Sequence, residues 1–146
     1  MGTPLPDADH VARYCKPTAV QDGIPLPEAF IPRNREEYIS VNWLEYFSGT
    51  RNKSEQLKRI RSDIQESGSL RLAASGKFAV LNVGKTKERI LNALRVSLTI
   101  EHWPLDNNPS HGGIRYDRNI ELDNQIPFEL SRLVSRKDIF AARNIS

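Results

Sequence analysis

A chain of 146 residues is the length of one domain, long enough to bury roughly 68–70% of the surface its unfolded form exposes, so neither a disulfide nor a structural metal is needed for stability. Lys plus Arg number 21 against 18 Asp plus Glu, a formal charge of +3, too mild to mark a nucleic-acid binder, which concentrates its basic charge on one face. The single cysteine, Cys15, excludes an internal disulfide, the opening MGTPLPDADH lacks the basic and apolar stretches of a signal peptide, and the longest apolar-rich run, Phe78 to Val83, is far short of the ~20 residues that span a bilayer; a cytoplasmic protein with no membrane partner is expected.

Six of the nine prolines lie between Pro4 and Pro32, in a stretch without a sustained period of 2 or 3.6, so residues 1–35 read as an extended proline-rich arm rather than a helix or a paired strand. Val11, Tyr14, Ile24, Leu26, Phe30 and Ile31 give that arm more apolar weight than a disordered tail carries, which predicts docking on the body formed by residues 36–146. The body opens with YISVNW, where Tyr38, Ser40 and Asn42 alternate with Ile39, Val41 and Trp43 as in a half-buried strand, and LEYF follows as a short helical turn. A helix is predicted over Lys53 to Glu66, with Leu57, Ile60 and Ile64 on one stripe and Ser67-Gly68 ending it. Ser69 to Ala74 and Lys77 to Val83 read as a hairpin turning at Ser75-Gly76. Thr86 is placed as the cap of a helix over Lys87 to Leu94, followed by a strand alternating through Val96, Leu98 and Ile100. Ile114 to Asp117 reads as a short edge strand, and Gln125 to Ser135, with Pro127 near its first turn, as the last helix. That order defines a single α+β domain, a mostly antiparallel sheet with two or three helices and an extended arm.

Between the last predicted strand and that helix, EHWPLDNNPSHGGI (101–114) gathers two histidines, a tryptophan, two prolines and a Gly-Gly pair into one loop, combining stiff and permissive backbone with groups that titrate near neutrality. His102 and His111 are the candidates for a general acid and base. Zinc needs three or four ligands, and the remaining strong donors, His10 and Cys15, lie in the arm, so no metal and no cofactor is assigned. In the arm, DADHVAR places Asp7, Asp9, His10 and Arg13 together, and carboxylates beside a histidine fix its tautomer; with Trp43, Trp103, Asn108 and Ser110 they form the candidate binding set. NVGKT (82–86) ends like a phosphate loop but has Ala79 where the first glycine is required. Cys15 reads as a small buried residue rather than a nucleophile, and Ser110 is badly placed to be activated by its neighbour His111. Arg51, Lys53, Lys58, Arg59 and Arg61 surround the first helix ahead of the predicted hairpin, an order also seen in winged-helix modules, but Glu55, Asp63 and Glu66 dilute the charge.

Taken together, DADHVARYC, SVNWLEYF, FAVLNVG and NPSHGGI resemble, in order along nearly the full chain, a group of small bacterial proteins to which no reaction is attached. The resemblance implies a bacterial cytosolic accessory protein in a multi-gene system such as defence against mobile elements. The favoured expectation is an interaction protein in which the proline-rich arm, the aromatic strand with Tyr38, Trp43, Tyr46 and Phe47 and the histidine loop present a rigid surface to a larger protein partner. The alternative is a small histidine-dependent hydrolase or phosphoesterase using the 101–114 loop, and a third reading is a helix-hairpin module binding nucleic acid weakly, at ~10⁻⁴–10⁻⁶ M.

Overall fold

A computed structural model of the chain describes residues 2–33, 35–68 and 70–142. Among these, nine strands and three α-helices are ordered β1 (Thr3–Pro4), β2 (His10–Cys15), β3 (Val20–Gln21), β4 (Ile24–Pro25), β5 (Ile39–Trp43), α1 (Lys53–Ser67), β6 (Lys77–Asn82), α2 (Val83–Leu94), β7 (Thr99–His102), β8 (His111–Arg115), α3 (Ile120–Leu133) and β9 (Ile139–Ala141). A seven-stranded sheet runs β1-β7-β8-β5-β2-β6-β9, and β3 and β4 form a small separate pair. Every pairing is antiparallel, so the protein is an α+β fold of one domain.

The sheet is covered on both faces, and the period of 2 along each strand sorts the side chains between two cores. Ala12, Tyr14, Phe78 and Val80 pack under Leu57, Ile60 and Ile64 of α1. Val11, Ile39, Val41, Ala79, Leu81, Ile100 and Ile114 pack against Ile90 of α2 and Ile126 and Leu130 of α3. Each helix begins at an asparagine whose side chain accepts a backbone N–H of the first turn: Asn52 from Glu55, Asn82 from Lys85 and Asn119 from Leu122. Gly68, at φ 68°, ends α1 in the left-handed region that a side chain disfavours.

Several expectations are corrected. The expectation that residues 1–35 hold no paired strand fails at β2, which lies inside the sheet between β5 and β6 and is buried from Val11 to Cys15. The prolines are compatible with pairing because Pro6 and Pro17 bracket β2, and Pro4 sits on the edge strand β1, where a missing N–H is tolerated. The hairpin expected over 69–83 is absent among the described residues; 70–74 form no strand, because both edges of β6 are occupied by β2 and β9. Thr86 is not the cap of α2; Asn82 is, and the Thr86 hydroxyl donates inside the helix to the Asn82 carbonyl at 2.7 Å. β8 is an internal strand between β7 and β5 rather than an edge. Helix α3 starts at Ile120, so Pro127 lies buried inside it, and its missing N–H leaves the Asp123 carbonyl without a helical donor.

Candidate functional site

The predicted 101–114 loop is a β-hairpin: β7 and β8 pair from Thr99↔Arg115 to His102↔Gly112, and the connection between them folds back through paired backbone bonds between Leu105 and Asn108 at 3.2 and 3.0 Å. Gly112 belongs to this hairpin for steric reasons, since a Cβ there would collide with the Glu101 carbonyl. Buried side chains brace it from β5. The Asn42 amide donates to Asn108 Oδ1 at 2.7 Å and to Ser110 Oγ at 2.9 Å. His111, 3% exposed, meets the Trp103 carbonyl through Nδ1 at 2.8 Å and Ser40 Oγ through Nε2 at 3.0 Å. A carbonyl only accepts, so Nδ1 carries the proton and donates, and Nε2 of the neutral ring accepts from the Ser40 hydroxyl. Burial holds the His111 pKa below its ordinary value, partly offset by the bond to Trp103, so the ring is neutral at pH 7.

His102 and His111 do not form an acid–base pair on one substrate. His102 is in register with Gly112, the neighbour of His111, and adjacent residues of a strand project from opposite faces. His102 Nε2 instead donates to the Pro109 carbonyl at 2.7 Å, and its ring packs against Trp43 and Tyr46, at centroid distances of 5.0 and 5.5 Å.

The remaining candidates divide among separate places. Asp9, His10 and Trp43 meet at one end of the sheet: Asp9 Oδ2 accepts from Trp43 Nε1 at 2.9 Å, while Glu45 takes the His10 backbone N–H and ring Nδ1, each at 2.7 Å. Trp43, His102, Tyr46 and Phe47 continue from there as a run of ring contacts, with the Arg59 guanidinium over Phe47 at 5.5 Å. Asp7 stands apart, paired with Lys87 at 2.7 Å and accepting the Gly84 N–H through its carbonyl. Trp103 packs against the Tyr38 ring at 5.2 Å and has the Arg115 guanidinium over it at 5.5 Å. Arg13 is structural: 2% exposed, it donates to the carbonyls of Ala29, Ser40 and Ile31, each at 2.8 Å. Cys15 is buried, and burial pushes its thiol up to about 11, which removes it as a nucleophile near neutrality.

Beside α1, on the face that His111 shares with Ser40 and Asn42, a cleft of about 250 Å³ is lined by Arg33, Glu36, Ser40, Asn42, Asn108 and His111 among others. Ser40, Asn42 and Glu45 were not singled out from sequence. For Ser40 and Asn42 a signal existed, two polar residues at i and i+2 on an otherwise apolar strand, but it reads equally as a solvent face. Among the described residues no group of three or more His, Cys, Asp or Glu side chains is arranged to hold a metal ion, and no helix is long and apolar enough to cross a membrane. No known family model, curated protein or solved structure matches the chain, so its functional reading rests on its own residues.

Proposed function

We propose that the protein is a binding module that docks a larger protein through the aromatic end of its sheet, as an accessory component of a bacterial multi-gene system such as defence. The observation that carries this reading is the contiguous ring run Trp43–His102–Tyr46–Phe47. Trp43, Phe47 and His102 are half-buried, and Tyr46 is 39% exposed. Surface aromatics that are already held in place contribute most at interfaces, because they bury large area while little side-chain freedom remains to be lost. Here the holding is explicit: Asp9 fixes the indole, Glu45 fixes His10 beside it, and the Pro109 carbonyl fixes the His102 ring. The nucleic-acid reading loses support, since the hairpin that would follow the basic helix is missing over 70–74. The hydrolase reading loses its proposed acid–base pair, since the two histidines face opposite ways.

The test is capture of a protein partner from bacterial lysate by the immobilised chain, wild type against Tyr46→Ala. Expected is a retained partner whose binding falls about 30-fold in the variant, the size of a 2 kcal/mol interface anchor, with an unchanged melting temperature. Equal retention by both proteins, or no partner retained by the wild type, would overturn the reading.

A further inference from the structure

We propose that Ser40 is a nucleophile activated by His111, and that the cleft they line hydrolyses small esters through an acyl-serine intermediate. The Trp103 carbonyl, 2.8 Å from Nδ1, can only accept, so it holds the imidazole proton on Nδ1 and leaves the Nε2 lone pair facing Ser40 Oγ at 3.0 Å. This is the separation at which a base takes a hydroxyl proton, with a third group orienting the base. The orienting acceptor here is a backbone carbonyl instead of a carboxylate. Ser40 is itself fixed from beneath, because the buried Arg13 guanidinium donates to its carbonyl at 2.8 Å. His111 is anchored to the hairpin backbone, and Ser40 is half-buried and opens on the cleft.

In the reaction, the Ser40 hydroxyl proton passes to His111 Nε2 as Oγ bonds to the ester carbonyl carbon, and the carbonyl electron pair moves onto oxygen. Arg33 and Glu36 both line the cleft and act on His111, Glu36 the more strongly; Arg33 is the positive charge available to that oxyanion, and Glu36 the negative charge that favours the imidazolium formed on His111. Collapse breaks the bond to the alcohol oxygen, which leaves with the proton held on Nε2. Water then attacks the acyl group, giving its proton to His111, and the carboxylic acid departs as Ser40 recovers its proton. A cleft of about 250 Å³ admits an acyl group of only a few heavy atoms, since drug-sized ligands occupy about 300–1,000 Å³. The proposal is independent of the aromatic docking surface, which shares no side chain with the cleft lining.

The experiment is covalent labelling of the full-length protein with a small fluorophosphonate, read by intact mass and peptide mapping. Expected is a single adduct on Ser40 in the wild type, none there in Ser40→Ala, and labelling slowed at least 10²-fold in a folded His111→Gln. Turnover of p-nitrophenyl acetate should fall with the labelling. A merely structural serine–histidine bond would leave the folded wild type unlabelled. That result, or an adduct on another residue with Ser40 unmodified, overturns the proposal without depending on how either variant folds.

Discussion

A guanidinium with 2% exposure and three backbone carbonyls as acceptors ties together segments far apart in the chain. Burial lowers the Arg13 pKa to about 9, still above neutrality, so it is charged under ordinary conditions and its hydrogen bonds are charge-assisted. Removing it takes this donor from three carbonyls, the one on Ala29 in a buried bond and the other two in part-buried ones, at roughly 1–3 kcal/mol for each that stays unmet away from water. We predict that Arg13→Met lowers stability by ~3 kcal/mol or more, read as a drop in the urea midpoint at constant slope; a loss under 1 kcal/mol would mean the carbonyls find other donors. His111 makes a pH prediction. Its folded pKa is depressed from 6.5, so below that value the unfolded chain binds more protons than the folded one. The stability it contributes is full above pH 6.5 and is lost as pH falls from there toward the folded-state pKa. Urea titrations at pH 7.5 and 5.5 should show a larger loss for wild type than for His111→Gln, and equal losses would contradict the buried neutral ring.

At the scale of elements, the helices were more legible than the strands. Leu57, Ile60 and Ile64 lie on one stripe and are all buried, and the end of α1 at Gly68 follows from the glycine's left-handed φ, both local properties of the segment. Helix starts were less legible: Thr86 and Asn82 both carry capping side chains, and only the direction of the chain leaving β6 selects Asn82. Asn119→Ala, at the start of α3, should cost about 1 kcal/mol, the usual value of a lost side-chain cap, measured by thermal melting. In the hairpin, Gly112→Ala forces a methyl group against the Glu101 carbonyl and should cost ~1–3 kcal/mol as overpacking. A neutral Gly112→Ala would show that β7 and β8 can separate freely.

On the scale of the molecule, β2 decides whether the sheet exists, because it joins β5 on one side to β6 on the other. Deleting residues 1–15 therefore splits the sheet between β5 and β6 and strips both cores of Val11, Cys15, Ala12 and Tyr14, leaving two newly unpaired internal edges. The expected outcome is no cooperative thermal transition by circular dichroism, whereas a truncated chain that still melts cooperatively would demote β2 to a dispensable strap.

The α+β class and the run of alternating strands and helices after residue 38 were readable from local pattern, since periodicity, turn residues and caps act over a few neighbours. Strand order was not. β2 hides among prolines and carries a buried arginine whose acceptors lie 16 to 27 residues away, and β9 wins the edge of β6 that the adjacent segment 70–74 would have taken. The candidate sites divide in the same way. Histidines, tryptophan and prolines mark the 101–114 segment as a candidate, but whether His111 faces Ser40 or His102 depends on the register of β8 against β5 and β7, and in a pleated sheet a shift of one residue would turn every side chain to the other face. Register is set by long-range pairing and the packing of both cores, so the partners of each histidine belong to the tertiary structure alone.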